Sequence, residues 1–180
     1  MARMCVLGGG LVGRFVACTL CERGYTVRVV DTEILTNIPT GIETIQAPVE
    51  LETLPNLVAG FDVVVNCLPG RIGDIIRSEL LSIEGMSVAD LAFTSEDPIK
   101  YDELAKNHDS RLIYDVGIAP GLSNAILMDA QCRMGSLSSA RIWVGGNPQQ
   151  PDDEWSYMAP FSPSDVIEEY TRPARIRRNG

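Results

Sequence analysis

Short apolar runs alternate with amphipathic stretches along the first two thirds of the chain. Met4–Leu7, Tyr25–Val30 and Phe61–Leu68 are dominated by valine and other apolar residues, which is typical of strands buried on both faces of a parallel sheet. Leu11–Arg23 and Gly73–Ile83 instead carry apolar residues at helical spacing. This alternation of strands with helices predicts an α/β fold built on a mainly parallel sheet.

The same kind of pattern predicts further elements in the rest of the chain. In order they are strand Glu43–Ala47, helix Leu51–Ala59, strand Met86–Ala89, helix Pro98–Asn107, strand Arg111–Asp115, helix Leu122–Met134, strand Ala140–Val144, a helix starting at Ser162 and Pro163, and strand Ala174–Arg178. Asn179-Gly180 is a strong hairpin signal, and the sequence stops on it. We therefore expect these 180 residues to be the front part of a longer polypeptide.

Glycines follow the first apolar run, and Gly8, Gly10 and Gly13 have the G-x-G-x-x-G spacing. Such glycines allow a tight turn out of a strand, a close approach of the backbone to a pyrophosphate, and close packing of the next helix. Free N–H groups and the dipole at the helix start favour the phosphate charge. The motif predicts a doubly wound, Rossmann-type sheet. Its pyrophosphate site would consist of Gly8, Gly9, Gly10, Leu11, Val12 and Gly13.

An acidic residue ends the second predicted strand. Asp31 follows Gly8 at close to the spacing of about 20 residues expected for the carboxylate that binds the adenosine ribose. Thr32, rather than a basic residue, comes next, which favours NAD over NADP. Arg28 lies within the same strand and leaves NADP open as an alternative.

Two later loops also follow predicted strands. In a doubly wound sheet, ligands bind beyond the carboxyl ends of the strands, so the turn Cys67-Leu68-Pro69 is expected near the middle of a bound dinucleotide. A plain strand-to-helix turn is the alternative. The loop Asp115–Asn124 brings the N-terminus of another helix to the same edge of the sheet, where it could bind a substrate carboxylate.

Composition narrows the classes of partner. The chain is 45% hydrophobic, carries a net charge of −9 and has no apolar run long enough to cross a bilayer. This charge disfavours nucleic acid and anionic membranes as partners. The last nine residues carry four arginines, Arg172, Arg175, Arg177 and Arg178, which could form a nucleic-acid arm. The alternation of Ala174-Arg175-Ile176-Arg177 instead favours a strand with one solvated face. Met1 leads almost directly into the first strand, so we expect no signal peptide and a cytoplasmic protein.

Cysteine and histidine offer little support for metal or redox chemistry. The five cysteines are odd in number and lie mostly in apolar elements, so disulfides are not expected. Cys18-x-x-Cys21 resembles half of a zinc or redox motif, but it falls within a predicted helix, where packing is the favoured interpretation. His108, the only histidine, is expected in a solvated turn. We predict no metal site.

Four segments together resemble the saccharopine dehydrogenase-like family, in particular its lysine 6-dehydrogenase branch. They are Val6–Gly13, Val64–Gly70, Asp115–Asn124 and Tyr170–Gly180. The glycine loop is shared with many dehydrogenases, whereas Gly-Ile-Ala-Pro-Gly-Leu-Ser-Asn and the terminal segment are more specific. The resemblance implies an NAD(P)-binding Rossmann domain over residues 1–121. Residues 122–180 would begin an incomplete substrate and dimerisation domain.

The resemblance also implies an activity. Members of this family catalyse NAD(P)-dependent oxidation at a carbon that bears an amine, so a small amino-acid substrate, an imine product and a homodimer of the full-length protein are expected. The present chain would be inactive alone. The alternative is a dinucleotide-binding sensor or partner subunit without catalysis. A sugar or hydroxy-acid dehydrogenase is disfavoured by the resemblance alone.

Site roles follow from the resemblance residue by residue. The Cys67-Leu68-Pro69 turn would line the nicotinamide side of the site. The substrate would be bordered by Gly117, Pro120, Gly121 and Ser123. The chemistry needs a base, and Asp90 and Asp115 are candidates at strand ends, although capping or solvated turn roles are the favoured interpretation of both. The base itself is left unassigned.

Overall fold

The computed structural model describes residues 1–94, 96–146, 148–150, 154, 158 and 163–171. Its strands are β1 (Arg3–Leu7), β2 (Thr26–Asp31), β3 (Ile42–Gln46), β4 (Val63–Asn66), β5 (Ser87–Asp90) and β6 (Arg111–Ile113). Its helices are α1 (Leu11–Glu22), α2 (Leu54–Val58), α3 (Gly70–Leu81), α4 (Asp102–Asn107), α5 (Leu122–Met134) and α6 (Pro163–Thr171). A 3-10 helix, Pro98–Tyr101, leads into α4.

The six strands form one parallel sheet in the order β3-β2-β1-β4-β5-β6. The chain builds outward from β1 to β3 and then from β4 to β6, so the strand order switches between β1 and β4. This is the strand order of a Rossmann fold, and the predicted fold class is confirmed. The crevice at the switch lies beyond Leu7 and Asn66, which are paired at the carboxyl ends of β1 and β4.

Two apolar clusters lie on opposite faces of the sheet, because successive residues of a strand point to opposite sides. In β1, Cys5 and Leu7 join one cluster and Val6 joins the other. Helix α1 packs on the Val6 face through Ala17. Helices α2 and α3 cover the opposite face. Layers on both faces explain why the central strands are almost wholly apolar.

Two boundaries differ from those predicted at the carboxyl edge of the sheet. Helix α3 begins at Gly70 rather than Gly73, because Pro69 already provides its N-cap backbone. Strand β6 ends at Ile113, before Asp115, whose φ of +57° lies in the left-handed region and cannot continue a strand. The turns that border the crevice are therefore placed slightly differently from the prediction.

The predicted strand Ala140–Val144 is wrong. The structure assigns no strand there, and Ile142, Trp143 and Val144 are all exposed. Alternating polarity expresses only a local preference, and a strand also needs a neighbour to accept its backbone hydrogen bonds. In the part of the chain that the structure describes, this segment pairs with no strand. The predicted strand Ala174–Arg178 lies outside the described residues.

The first helix has the role that its sequence predicts. Cys18 and Cys21 pack against the Val6 cluster, and all five cysteines are free thiols.

Within the described ranges, every helix is too short or too polar to cross a lipid bilayer.

Candidate functional site

The glycine loop joins β1 to α1 at the switch in strand order. Gly8 has φ of +91°, and a Cβ there would lie 2.9 Å from the carbonyl oxygen of Cys67. A Cβ on Gly13 would lie only 1.8 Å from the Gly8 carbonyl oxygen. Gly10, by contrast, has no other atom within 4 Å of its Cβ position. Two of the glycines are thus required by the protein itself, whereas Gly10 borders open space.

The start of α1 faces that open space. Gly10 is the N-cap and makes no side-chain cap, and the first turn holds no acidic residue. The first N–H groups of a helix have no partner within the helix. Leu11 and Val12 are exposed in this turn. The loop therefore presents backbone donors and the positive end of a helix dipole, which together suit an anion.

Asp31 lies beside the glycine loop, as its position at the end of β2 predicts. Its Oδ2 accepts a hydrogen bond of 2.6 Å from the Gly9 N–H. Its Oδ1 accepts one of 2.9 Å from the Glu33 N–H. These two bonds fix the carboxylate at the rim of the crevice, next to the turn that would hold a pyrophosphate.

Arg28 is directed away from the crevice. Its guanidinium pairs with Glu43 at 3.0 Å, donates to the Leu57 carbonyl at 2.8 Å and stacks 4.5 Å from the ring centre of Phe61. Arg14 is the cation nearer to the loop after β2, where it donates to the Thr36 carbonyl at 3.1 Å. The contacts of Arg28 therefore do not support a role in binding the 2′-phosphate of NADP.

The second predicted cofactor segment, Cys67-Leu68-Pro69, touches the glycine loop. The Cys67 N–H donates to the Leu7 carbonyl at 2.9 Å, and the Cys67 carbonyl is the atom that excludes a Cβ at Gly8. The Leu68 N–H donates to the Asn66 side chain at 3.4 Å. The structure thus brings the two segments together across the crevice.

A buried polar network lies directly under this turn. Arg77 and Asp90 have fully buried side chains, and the Arg77 Nε donates to Asp90 at 2.5 Å. Arg77 also pairs with Asp74 and donates to the Ala92 carbonyl at 3.0 Å. Asn66 Nδ2 donates to both Asp90 oxygens at 3.3 Å. The network links the ends of β4 and β5 to helix α3.

Burial and pairing act in opposite directions on the charges of this network. Burial opposes the charge on Arg77, but the hydrogen bond and the charge of Asp90 outweigh it and raise the pKa of the guanidinium. Burial raises the pKa of Asp90, against the opposing effect of Arg77 and of N–H donors from Ala92 and Asn66. The sequence pattern did not predict Arg77 or Asn66 as part of this site. The available signal was that Arg77 lies on the apolar face of α3, between Ile76 and Leu80.

The two candidate bases have different positions. Asp90 is the last residue of β5, is 0% exposed and is turned toward Arg77, so it is shielded from a substrate and is withdrawn as a catalytic candidate. Its Oδ1 does cap the Ala92 N–H at 2.8 Å. Asp115 is half-buried at the carboxyl edge, and its carbonyl accepts from the Gly117 N–H at 2.9 Å. Asp115 stays a prediction.

The predicted substrate loop lies at the same edge of the sheet. The Val116 N–H donates to the Asp90 carbonyl at 3.2 Å, which attaches the loop to the end of β5. Gly117 and Gly121 form an isolated bridge, and a Cβ on Gly121 would lie 2.3 Å from the Gly117 carbonyl oxygen. Ser123 donates to the Asn124 side chain at 3.2 Å. The loop, which also includes the exposed Pro120, is thus closed on itself at the start of α5.

Cys67 is expected to be chemically inert although it borders the crevice. Burial, with a smaller effect of Asp90, raises the pKa of its thiol to about 12, and burial likewise raises that of Cys5 to about 12. Only the thiolate reacts with alkylating agents. Iodoacetamide at neutral pH should therefore label the exposed Cys132 and spare Cys5 and Cys67, as measured by peptide mass mapping. The unfolded chain, in which all five thiols should react, is the control, and equal labelling of Cys67 and Cys132 in the folded chain would contradict the expectation.

Several solved structures are similar to this chain. A D-isomer specific 2-hydroxyacid dehydrogenase family protein from Klebsiella pneumoniae 342 is 16% identical, with a TM-score of 0.46 over 62% of this chain and 37% of that one. A D-isomer specific 2-hydroxyacid dehydrogenase from Xanthobacter autotrophicus Py2, in complex with NADPH and MES, is 24% identical, with a TM-score of 0.46 over 62% and 47%. A reductive aminase from Aspergillus terreus is 17% identical, with a TM-score of 0.43 over 62% and 39%. The chain therefore spans less than half the length of each of these three proteins.

A family comparison concerns the other end of the chain. Residues 117–180 match the family model of the saccharopine dehydrogenase C-terminal domain. The matched range includes most of the loop before α5, the whole of α6 and the terminal segment that carried the resemblance in sequence. The match supports that resemblance over residues 117–180.

Proposed function

We propose that this chain is the dinucleotide-binding part of an NAD-dependent oxidoreductase that acts on the CH–NH group of an amino acid, of the lysine or saccharopine type. The single observation that carries the proposal is the Asp31 carboxylate held at the Gly9 N–H, 2.6 Å away, on the rim of a G-x-G-x-x-G loop. The amino-acid substrate is inferred from the family resemblance, and the dinucleotide cofactor is inferred from the geometry of the glycine loop.

The loop fits a pyrophosphate. Gly10 leaves open space where a side chain would otherwise stand, and the first turn of α1 offers unpaired N–H groups without a competing acid. The helix dipole adds attraction for the negative charge. Gly10 and the N–H groups of Leu11, Val12 and Gly13 would hold the two phosphates. The N–H groups of Gly8 and Gly9 already donate to the Val30 carbonyl and to Asp31, so these two glycines would shape the loop.

The rim favours NAD over NADP. A ribose diol can donate two hydrogen bonds to the Asp31 carboxylate. The 2′-phosphate of NADP would instead meet that carboxylate, with Glu33 as a second acid in the same exposed turn. Arg28 cannot offset this repulsion, because it is paired with Glu43.

The chemical step itself needs few residues of this chain, because the cofactor would carry the difficult chemistry. A bound nicotinamide would supply a hydride acceptor for the carbon that bears the amine. A base would take the N–H proton, and water would hydrolyse the resulting imine. The Cys67-Leu68-Pro69 turn would border the ring, and its neutral thiol would not compete as a nucleophile. The loop Gly117–Ser123, together with the N-terminus of α5, would orient the substrate carboxylate. Asp115 is the candidate base that stays in reach of this edge.

We expect NADH to bind the chain, and Asp31→Ala to weaken that binding by about 10- to 100-fold, since hydrogen bonds to a charged group are worth about 1.5–3 kcal/mol. Isothermal titration of both proteins with NADH and with NADPH measures the effect. NADPH should bind the wild type more weakly than NADH does.

Glu33→Ala is the matched control, because it removes a nearby acid but leaves the Gly9 contact of Asp31 in place. This variant should keep NADH affinity within about twofold and bind NADPH better than the wild type does. Unchanged NADH affinity in Asp31→Ala would remove the ribose assignment, and a wild type that binds neither dinucleotide would remove the proposed function.

The amino-acid part of the proposal has a separate test. NADH formation is measured with L-lysine, saccharopine and 2-hydroxy acids, using this chain and the product of the complete reading frame. We expect amine-dependent NADH formation with the complete product and negligible turnover with the 180 residues. Oxidation of a hydroxy acid but of no amine would contradict the substrate class. Dinucleotide binding without any turnover of the complete product would favour the sensor or partner-subunit alternative.

A further inference from the structure

A carboxylate of helix α6 contacts the cofactor-binding domain. Asp165 lies in the first turn of α6 and is only 8% exposed. Its Oδ1 accepts a long hydrogen bond of 3.4 Å from the N–H of Gly70, the first residue of α3. The two residues lie 95 positions apart in the sequence. Asp165 belongs to the range matched by the C-terminal domain model, so this contact joins the two parts of the chain.

The start of α3 has no anionic group of its own. Pro69 is the N-cap and offers no side-chain acceptor, and the first turn of α3 contains no acidic residue. A helix N-terminus is stabilised by a nearby negative charge and by an acceptor for its first N–H groups. Asp165 supplies both from outside the helix. Gly70 itself is tightly enclosed, since a Cβ there would lie 2.9 Å from the Cβ of Phe93.

The helix start that Asp165 contacts directly follows the Cys67-Leu68-Pro69 turn, which we call the crevice turn. Cys67 is fixed at the other end by its N–H bond to the Leu7 carbonyl at 2.9 Å, and Leu68 is fixed by the Asn66 side chain. Pro69 is exposed between these anchors and Gly70. The Pro69 carbonyl accepts from the N–H groups of Ile72 and Gly73 at 2.9 and 2.8 Å, so Pro69 moves with the first turn of α3. Asp165 contacts that turn at Gly70 from the side of α6.

We propose that Asp165 is a positioning residue that couples α6 to the nicotinamide side of the crevice. The inference rests on the proposed function, because it takes the Cys67-Leu68-Pro69 turn as the border of the nicotinamide ring. Loss of the carboxylate releases Gly70 and the turn, but it leaves the glycine loop and Asp31 on the far side of the crevice unchanged. Asp165 thus acts on one half of the dinucleotide only.

A comparison of two ligands tests the two halves of the site separately. NADH spans the whole crevice, whereas ADP-ribose carries the adenosine, the pyrophosphate and a ribose but no nicotinamide ring. We expect Asp165→Ala to weaken NADH about fivefold, which corresponds to the loss of one helix-terminal charge interaction, and to leave ADP-ribose within about twofold. Isothermal titration of the full 180-residue chain measures both dissociation constants. Asp165→Asn, which retains an acceptor oxygen but no charge, should fall between the wild type and Asp165→Ala.

The control removes an acid from another helix. Asp102→Asn alters the first turn of α4, where the carboxylate pairs with Lys106 on the surface, and it should change neither affinity. Amide hydrogen exchange provides a readout without any ligand. The Gly70 N–H should exchange faster in Asp165→Ala than in the wild type, while the Gly9 N–H, which is bound to Asp31, should be unaffected.

The outcomes distinguish this inference from the proposed function. If the wild type binds neither NADH nor ADP-ribose, the proposed function fails. If the wild type binds both, and Asp165→Ala weakens both equally or neither, the positioning role is overturned. If circular dichroism shows that Asp165→Ala folds poorly, the same comparison is made with the isosteric Asp165→Asn. Equal effects of that variant on NADH and ADP-ribose affinity would also overturn the positioning role.

Discussion

Replacing Gly13 by alanine should destabilise the chain more than any other single methyl addition in the glycine loop. The new Cβ would lie 1.8 Å from the carbonyl oxygen of Gly8 and 3.0 Å from its carbon. Both contacts are with backbone, so no rotamer change relieves them, and α1 must move away from β1. We expect the free energy of unfolding to fall by about 3 kcal/mol, the upper end for an overpacked site, as measured by urea denaturation.

Dinucleotide binding should be lost together with this packing. Gly8 and Gly13 set the path by which the loop enters α1, and a displaced helix no longer aims its N–H groups at the pyrophosphate. NADH affinity of Gly13→Ala should fall by about 100-fold or more, as expected when the loop glycine that permits close helix packing is replaced. Titration is done at a temperature where circular dichroism shows the variant to be folded.

Gly10→Ala is the matched variant, because it adds the same methyl group at a position with no other atom within 4 Å. Its φ of −66° suits any residue, so its stability should stay within about 1 kcal/mol of the wild type, the usual size of an N-cap effect. NADH affinity should nonetheless fall, since the methyl group occupies the space left for the pyrophosphate. If Gly13→Ala were as stable as Gly10→Ala, the close approach of α1 to β1 would be disproved. Unchanged NADH affinity in Gly10→Ala would remove the pyrophosphate assignment.

The glycine loop could be predicted because its requirements are local. A turn that leaves a strand with positive φ, a helix that approaches a strand closely and an acid at the end of the next strand each need one residue type at one position. Gly8, Gly13 and Asp31 satisfy these needs within one βαβ unit. The strand order follows from the same units, because short crossovers in a parallel sheet leave few topologies.

The buried network could not be predicted in the same way. Arg77 pairs with Asp90 across the space between a helix and the next strand, and an arginine in a helix is usually a surface residue. Only its place on the apolar face of α3 marked it as unusual. Contacts of long sequence separation, such as that of Asp165 with Gly70, leave no periodic trace at all. The predicted strand around Ile142 was wrong for the opposite reason. Its local pattern suits a strand, but no neighbouring strand pairs with it in the part of the chain that the structure describes.

Replacing Arg77 by methionine should also have a large effect on stability. The change removes the guanidinium but keeps a long apolar stem, so it leaves Asp90 fully buried without its counter-charge. Breaking a buried pair in this way costs about 3–5 kcal/mol. The loss at neutral pH is measured by urea denaturation of the variant and of the wild type.

The loss should depend on pH in a defined direction. Burial raises the pKa of Asp90 in the folded chain, and removal of Arg77 leaves that effect less opposed. An acid whose pKa is higher in the folded than in the unfolded state binds protons on folding, so the folded state is favoured at acidic pH. The stability of Arg77→Met relative to the wild type should therefore be best near the ordinary aspartate pKa of about 4 and decline as the pH rises toward the raised folded value.

A double variant tests whether the uncompensated charge is the cause. Arg77→Met with Asp90→Asn removes both charges and keeps a side chain of nearly the same shape beside Asn66 and Ala92. Since replacing both members of a buried pair is often close to neutral, this variant should recover most of the lost stability and lose the pH dependence. A double variant as unstable as Arg77→Met, or a loss in Arg77→Met that is constant with pH, would mean that packing around the arginine stem, and not its charge, holds the ends of β4 and β5 together. In that case the crevice turn above them would be supported by shape alone, and NADH affinity should follow the volume of residue 77 and not its charge.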